Sequence, residues 1–148
     1  MSRTQPVIVM EDNDGDFETA VEAIERAGVY NQILRAVSGS DCLRLLREIC
    51  ASHGALPAFV LMDLNTPSTD GRDALSEMHM DDELHAVPVV VLSTSSNPKD
   101  VDYCYRKGAR AYHIKPVNHA AHRAMLQTIF SYWMTSTVLP SERNLRTP

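Results

Sequence analysis

Residues 59–71 have the sequence FVLMDLNTPSTDG, in which four apolar side chains lead directly into Asp63. The apolar run predicts a short buried strand, and the polar segment with its proline and glycine predicts a turn after it. Asp63 therefore stands at the carboxyl end of a strand. Open parallel α/β sheets bind their ligands at that edge, which makes Asp63 the first candidate functional residue.

Three other strand-like runs also end on polar residues: 7–10 on Glu11 and Asp12, 89–92 on Ser93, and 112–114 on Lys115. In one parallel sheet these ends would bring three carboxylates, a hydroxyl and an ammonium group together. Carboxylates this close repel each other by about 4 kcal/mol per pair at about 4 Å and an effective dielectric constant of about 20. A bound cation removes that penalty, so the pattern predicts a site for Mg²⁺ or Mn²⁺.

A carboxylate at such a site can accept a phosphoryl group and form an acyl phosphate. This transfer depends on charge neutralisation and in-line positioning more than on proton chemistry. Lys115 would supply a positive charge for one phosphate oxygen, and the Ser93 hydroxyl would donate to another. The residues alone therefore indicate phosphoryl chemistry at Asp63.

Strand and helix patterns alternate five times along the 148 residues. This alternation predicts an α/β fold, a five-stranded parallel doubly wound sheet with helices on both faces. Residues 33–37 supply the second strand, and Asn97 with Pro98 predicts the start of a helix. We expect one domain over residues 5–131 and a C-terminal extension over residues 132–148.

Composition excludes several classes of protein. The net charge of −5 argues against general affinity for nucleic acid or an anionic membrane surface. No apolar run approaches the roughly 18 residues of a membrane span, and no signal peptide follows Met1. The three cysteines lack the number and spacing of a disulfide framework or a zinc site, so we expect a reducing cytoplasm.

In combination, these motifs resemble the response-regulator receiver domains of two-component signalling. The similarity covers about residues 5–131: an acidic pair after the first strand, the loop 61–71, a hydroxyl 30 residues beyond Asp63, and a lysine 22 residues further. The lysine is followed by Pro116, as in the family. Tyr112 matches the aromatic position that swings inward when the hydroxyl moves to the phosphate.

The resemblance implies a role for each matching residue. Asp63 would receive phosphate from the phosphohistidine of a histidine kinase. The metal would be held by Asp12 directly, by Glu11 through water, by the backbone carbonyl of Asn65, and by Asp63. Ser93 would be the switch hydroxyl, with Thr94 as the alternative. The Lys115–Pro116 peptide bond would be cis.

A narrower resemblance lies at residues 131–140, which look like the tail of small receivers that partner bacterial and cyanobacterial phytochromes. Those proteins lack an output domain and form dimers around the fourth and fifth strands and the last helix. This implies a homodimer and a phytochrome-type kinase as partner. The tail is also more apolar than a solvated tail needs, which indicates a dimer or partner arm that contains Tyr132, Trp133, Val138 and Leu139. The alternatives are a frayed tail and, for Trp133, ordinary core packing.

Taken together, these features predict a stand-alone response regulator that acts through protein–protein contacts and catalyses only its own phosphotransfer and dephosphorylation. One alternative is an interaction module with the same fold that does not depend on phosphorylation. Another is a small Mg²⁺-dependent phosphatase with an aspartyl nucleophile. The phosphatase is disfavoured because a second acid would be expected two residues after the nucleophile, where the chain has Asn65.

Overall fold

A computed structural model describes residues 5–53, 56–64 and 69–140. The strands are β1 (Val7–Met10), β2 (Ile33–Ala36), β3 (Phe59–Asp63), β4 (Val89–Ser93) and β5 (Ala111–Ile114). The helices are α1 (Asp14–Arg26), α2 (Gly39–His53), α3 (Asp70–Met80), α4 (Pro98–Arg106) and α5 (His119–Ser131). All strand pairs are parallel, and the order β2-β1-β3-β4-β5 confirms the predicted doubly wound sheet.

The central strands β1, β3 and β4 are buried along their whole length because helices cover both faces of the sheet. Successive side chains of a strand point to opposite faces. Val60 and Met62 therefore pack with α2, α3 and α4, whereas Phe59 and Leu61 pack with α1 and α5. This two-sided burial explains why the central strands are continuous apolar runs in the sequence.

Asparagine side chains begin three of the helices. The side chains of Asn13, Asn97 and Asn118 accept hydrogen bonds from backbone N–H groups in the first turns of α1, α4 and α5. Gly28 and Gly108 follow α1 and α4 with φ of 74° and 90°, a conformation that glycine adopts without strain. These helices begin just beyond the carboxyl ends of the strands, so their first turns surround the same edge of the sheet.

The chain continues beyond α5 as a π-helical turn, Tyr132–Ser136. The Trp133 ring stacks on Phe59 with centroids 5.9 Å apart, and Leu139 packs on the same core. The Gln5 amide donates hydrogen bonds of 2.9 and 2.8 Å to the carbonyls of Leu56 and Pro140. The frayed-tail alternative, which concerns the chain from about Ser136, is therefore wrong for residues 136–140, and residues 141–148 lie outside the described ranges.

Within the described ranges, no helix is both long and apolar enough to cross a membrane. Cys42, Cys50 and Cys104 are buried, and none of the three is in a disulfide.

Candidate functional site

The register of the sheet places the predicted site residues along one edge. Met10 pairs with Met62, and Asp63 pairs with Leu92. The residues that follow these pairs, Glu11 and Ser93, therefore lie beside Asp63 at the carboxyl ends of the central strands. Lys115 follows β5 at the same edge, and its backbone N–H donates to the carbonyl of Ser93 over 2.7 Å.

Lys115 forms the centre of a buried cluster of charges. Its Nζ lies 2.8 Å from Oδ2 of Asp63, 2.6 Å from Oδ2 of Asp16 and 3.8 Å from Oε1 of Glu11. Only 8% of the Lys115 side chain and 4% of the Asp63 side chain are exposed. Water would solvate the ammonium group of an exposed lysine, whereas the Lys115 ammonium is paired with carboxylates.

The cluster changes the protonation of its members. Desolvation raises the pKa of the Glu11 carboxyl far above its ordinary value, and a hydrogen bond with Asp63 and the charge of Asp63 raise it further. Burial by itself would lower the pKa of Lys115. Hydrogen bonds to Asp16 and Asp63 and the charges of Asp63 and Glu11 outweigh that effect, so the pKa of Lys115 is raised. The raised pKa values mean that Glu11 and Lys115 both hold their protons more tightly than usual.

The donor set fits a hard divalent cation. Carboxylate oxygens of Glu11, Asp16 and Asp63 all lie within 4.8 Å of one another. Asp12 is exposed and lines an open cleft of about 150 Å³ together with Glu11 and Asp63. Oxygen ligands and crowded negative charge are what Mg²⁺ and Mn²⁺ require. Asn65 lies outside the described residues, and the individual ligand roles stay predictions.

The two candidate switch hydroxyls differ in exposure. Ser93 is buried at the edge of the sheet, and its Oγ accepts a hydrogen bond of 3.1 Å from the Ser95 N–H. Thr94 is exposed. The Tyr112 ring packs against the core of α2, α3 and α4, and its hydroxyl donates to the Ser95 carbonyl over 2.8 Å. Ser95 thus connects the Ser93 hydroxyl to Tyr112.

The prediction of a cis bond before Pro116 is wrong. The Lys115–Pro116 peptide bond is trans, as are all the others in the described parts of the chain. The trans isomer is favoured by about 0.5–1 kcal/mol at a proline. With this isomer the Lys115 ammonium already reaches Asp63, so contact between the two residues does not require the cis form.

Sequence reasoning missed two residues that support the site. Asp16 lies in the first turn of α1, and its carboxylate pairs with Lys115. Side chains in a first helical turn lean back towards the helix N-terminus, and this was the available signal for Asp16. The second residue is Arg35, near the carboxyl end of β2. Its Nε donates to the Glu11 carbonyl over 2.9 Å, and its guanidinium pairs with Asp14. Together these two contacts hold the loop after β1.

The four predicted residues of the extension are divided between core and surface. Trp133 and Leu139 pack on the core of α1 and α5, whereas Tyr132 and Val138 are exposed. The core-packing alternative for Trp133 is therefore confirmed. The exposed pair lies in the extension that follows α5.

Comparison with known proteins gives a consistent result. Residues 7–127 match the family model of the response regulator receiver domain. "Probable methanogenesis regulatory protein FilR2" of Methanothrix harundinacea (strain 6Ac) is 32% identical over 128 residues, 86% of this chain and 83% of FilR2. Response regulator Rcp1 of Synechocystis sp. (strain ATCC 27184 / PCC 6803 / Kazusa) is 29% identical over 136 residues, 91% of this chain and 92% of Rcp1.

Two solved structures extend this comparison. The Mn²⁺-bound form of Rcp1 has a TM-score of 0.82 at 29% identity, with 92% of this chain and 99% of that chain covered. The phosphorylated cyanobacterial phytochrome response regulator RcpA has a TM-score of 0.83 at 30% identity, with 93% and 99% covered. The similarity extends over nearly the full length of both chains.

Proposed function

This chain belongs to the response regulator receiver domain family of two-component signalling, and from that premise we propose that it accepts a phosphoryl group on Asp63 from a histidine kinase. The observation that carries the proposal is the buried contact of 2.8 Å between Lys115 Nζ and Asp63 Oδ2. Asp63 is a buried carboxylate in contact with an ammonium group and beside an open cleft. These are the components that phosphoryl acceptance needs.

The transfer step needs no proton abstraction by the protein. A carboxylate oxygen of Asp63 attacks the phosphorus of phosphohistidine, the new O–P bond forms, and the N–P bond breaks with its electron pair on the imidazole nitrogen. Lys115 donates to a phosphoryl oxygen, and Ser93 is placed to donate to another. Hydrolysis of the acyl phosphate by water returns Asp63 and inorganic phosphate, so the protein catalyses only its own phosphorylation and dephosphorylation.

A divalent cation, Mg²⁺ or Mn²⁺, completes the site in this proposal. Glu11, Asp12 and Asp63 would hold it, with the backbone carbonyl of Asn65. When bound, it neutralises charge on the carboxylates and on the phosphoryl oxygens. The Mn²⁺-bound structure of the similar protein Rcp1 supports a divalent cation in this family.

The output we propose is a change in protein contacts. Movement of Ser93 towards the phosphoryl group would alter its hydrogen bond with Ser95, and through Ser95 the hydroxyl contact of Tyr112. Tyr112 lies on β5, next to a surface where Ile114 and Val117 are exposed. A homodimer or a docked kinase would use this surface. Tyr132 and Val138, exposed in the extension after α5, would offer a separate contact.

We further propose a phytochrome-type histidine kinase as the partner and the cytoplasm as the location. The similarity to RcpA, a cyanobacterial phytochrome response regulator, supports this choice of kinase. The net charge of −5 supports protein partners over nucleic acid or an anionic membrane. Transfer from a phytochrome kinase at a rate no faster than from unrelated histidine kinases would refute the partner assignment.

The first experiment measures phosphoryl acceptance directly. Incubation with acetyl phosphate and Mg²⁺ is expected to add one phosphoryl group by intact mass. Asp63→Asn and a sample without divalent cation should show no adduct. If wild-type protein shows no adduct at short times and low temperature, Asp63 is not a phosphoacceptor, and an interaction module independent of phosphorylation becomes the better assignment.

A further inference from the structure

Asp16 makes the shortest contact in the charged cluster. Its Oδ2 lies 2.6 Å from Lys115 Nζ, compared with 2.8 Å for Asp63. The position of Asp16 is fixed by α1, because its backbone N–H donates to the side chain of Asn13 at the start of the helix. Two carboxylates from different elements therefore share one ammonium group.

The two carboxylates differ in what phosphorylation does to them. Phosphoryl transfer converts the single negative charge of Asp63 into an acyl phosphate with a charge near −2. The charge of Asp16 does not change, and its oxygen lies within 4.8 Å of an Asp63 oxygen. At this distance, and with Lys115 and Asp63 almost fully buried, added negative charge is repelled.

Competition for Lys115 acts in the same direction. The hydrogen bond to Asp16 occupies one of the three donors of the ammonium, and the bond to Asp63 occupies a second. One donor is left for a phosphoryl oxygen, and the bond to Asp16 restrains how far the ammonium can move towards it. Asp16 therefore favours the unphosphorylated state through both its charge and its contact.

We propose that Asp16 is a positioning residue that holds Lys115 and shifts the equilibrium of Asp63 towards the unphosphorylated state. This inference rests on the proposed function, because it needs Asp63 to be the phosphoacceptor. It differs from a role as a metal ligand, which would make loss of Asp16 weaken Mg²⁺ binding strongly. It also differs from a purely structural role at the start of α1, which would depend on folding and not on charge.

The test uses beryllium trifluoride, which coordinates a carboxylate oxygen and adds one negative charge without turning over. Binding to the full-length protein would be followed by ¹⁹F NMR at saturating Mg²⁺. Asp16→Asn and Asp16→Ser should each bind about three- to tenfold more tightly than wild type, a range reduced from the full Coulomb effect because 35% of the Asp16 side chain is exposed.

Two variants separate charge from structure. Asp16→Glu keeps the charge and should bind within about twofold of wild type. Glu18→Gln removes the same charge from the same helix, but Glu18 is exposed. It should also stay within about twofold of wild type. Thermal melts verify that each variant is folded. If Asp16→Asn does not fold, Asp16→Ser still tests the loss of the charge.

The outcomes are distinct. Unchanged or weaker binding by both neutral variants would overturn the proposal. A loss of Mg²⁺ affinity of more than about 100-fold in Asp16→Asn, measured by calorimetry, would also overturn it and assign Asp16 to the metal. If wild-type protein binds neither beryllium trifluoride nor a phosphoryl group, the proposed function itself fails. If wild type binds and both neutral variants are unchanged, only the role of Asp16 fails.

Discussion

The two ends of the central sheet are held together by different interactions. At the carboxyl end, Lys115 lies among the carboxylates of Asp16, Asp63 and Glu11. At the amino end, Phe59 packs against two other aromatic rings, of Phe130 and Trp133, with centroids 5.8 and 5.9 Å away. Binding of a phosphoryl group or a cation changes the charge balance at the carboxyl end. The contacts at the amino end are between uncharged aromatic rings, which such a ligand does not alter.

This difference indicates where stability and function reside. Buried charges contribute little net stability, because the cost of removing them from water offsets most of their mutual attraction. Apolar burial contributes about 25 cal/mol per Å². We therefore expect substitutions at the carboxyl end to change chemistry more than stability, and substitutions at the amino end to do the reverse.

The largest expected effect is at Lys115. Lys115→Met removes the ammonium that contacts Asp63, and should slow phosphorylation by acetyl phosphate by about 100-fold or more. It should also tighten Mg²⁺ binding by about tenfold, because a positive charge no longer opposes the cation. Intact-mass time courses and calorimetric Mg²⁺ titrations measure the two effects.

Lys99→Met provides the matched control for Lys115→Met, since Lys99 is an exposed lysine in the first turn of α4. It should leave both quantities within about twofold of wild type. A phosphorylation rate of Lys115→Met that equals wild type would show that the buried ion pair is a structural feature, and the contrast between the two ends would fail.

A smaller effect, and one on stability, is expected at Trp133. Trp133→Ala removes the ring that stacks on Phe59 and should lower the free energy of unfolding by about 2 kcal/mol, less than for a fully buried tryptophan. Urea denaturation measures this loss. Tyr132→Ala, at a half-exposed neighbour, should cost less than about 1 kcal/mol. If Trp133→Ala is phosphorylated more than about threefold more slowly than wild type, the two ends of the sheet are energetically coupled.

How far the sequence predicts the molecule depends on how local each signal is. The strands and the polar residues at their carboxyl ends follow from apolar runs and turn residues, so the positions of Asp63, Ser93 and Lys115 at one edge could be predicted. The first-turn position of Asp16 indicates only that its side chain leans towards that edge. Its pairing with Lys115 depends on how α1 lies over the edge. The prediction of a cis bond before Pro116, which is wrong, rested on the family resemblance alone and on no local signal in the chain.

The smallest predicted effect sharpens the comparison, because it tests whether a polar contact can support the apolar end. Gln5 is buried, its amide nitrogen donates to the carbonyls of Leu56 and Pro140, and its Oε1 has no partner among the described residues. Gln5→Met should lower the free energy of unfolding by about 1 kcal/mol, since two bonds are lost while one unpartnered oxygen is removed. In a chain that ends at Ser136, which lacks Pro140, the same substitution should cost about half as much. Equal costs in both chains would mean that Gln5 supports only the Leu56 segment, and that apolar contacts alone hold residues 137–140.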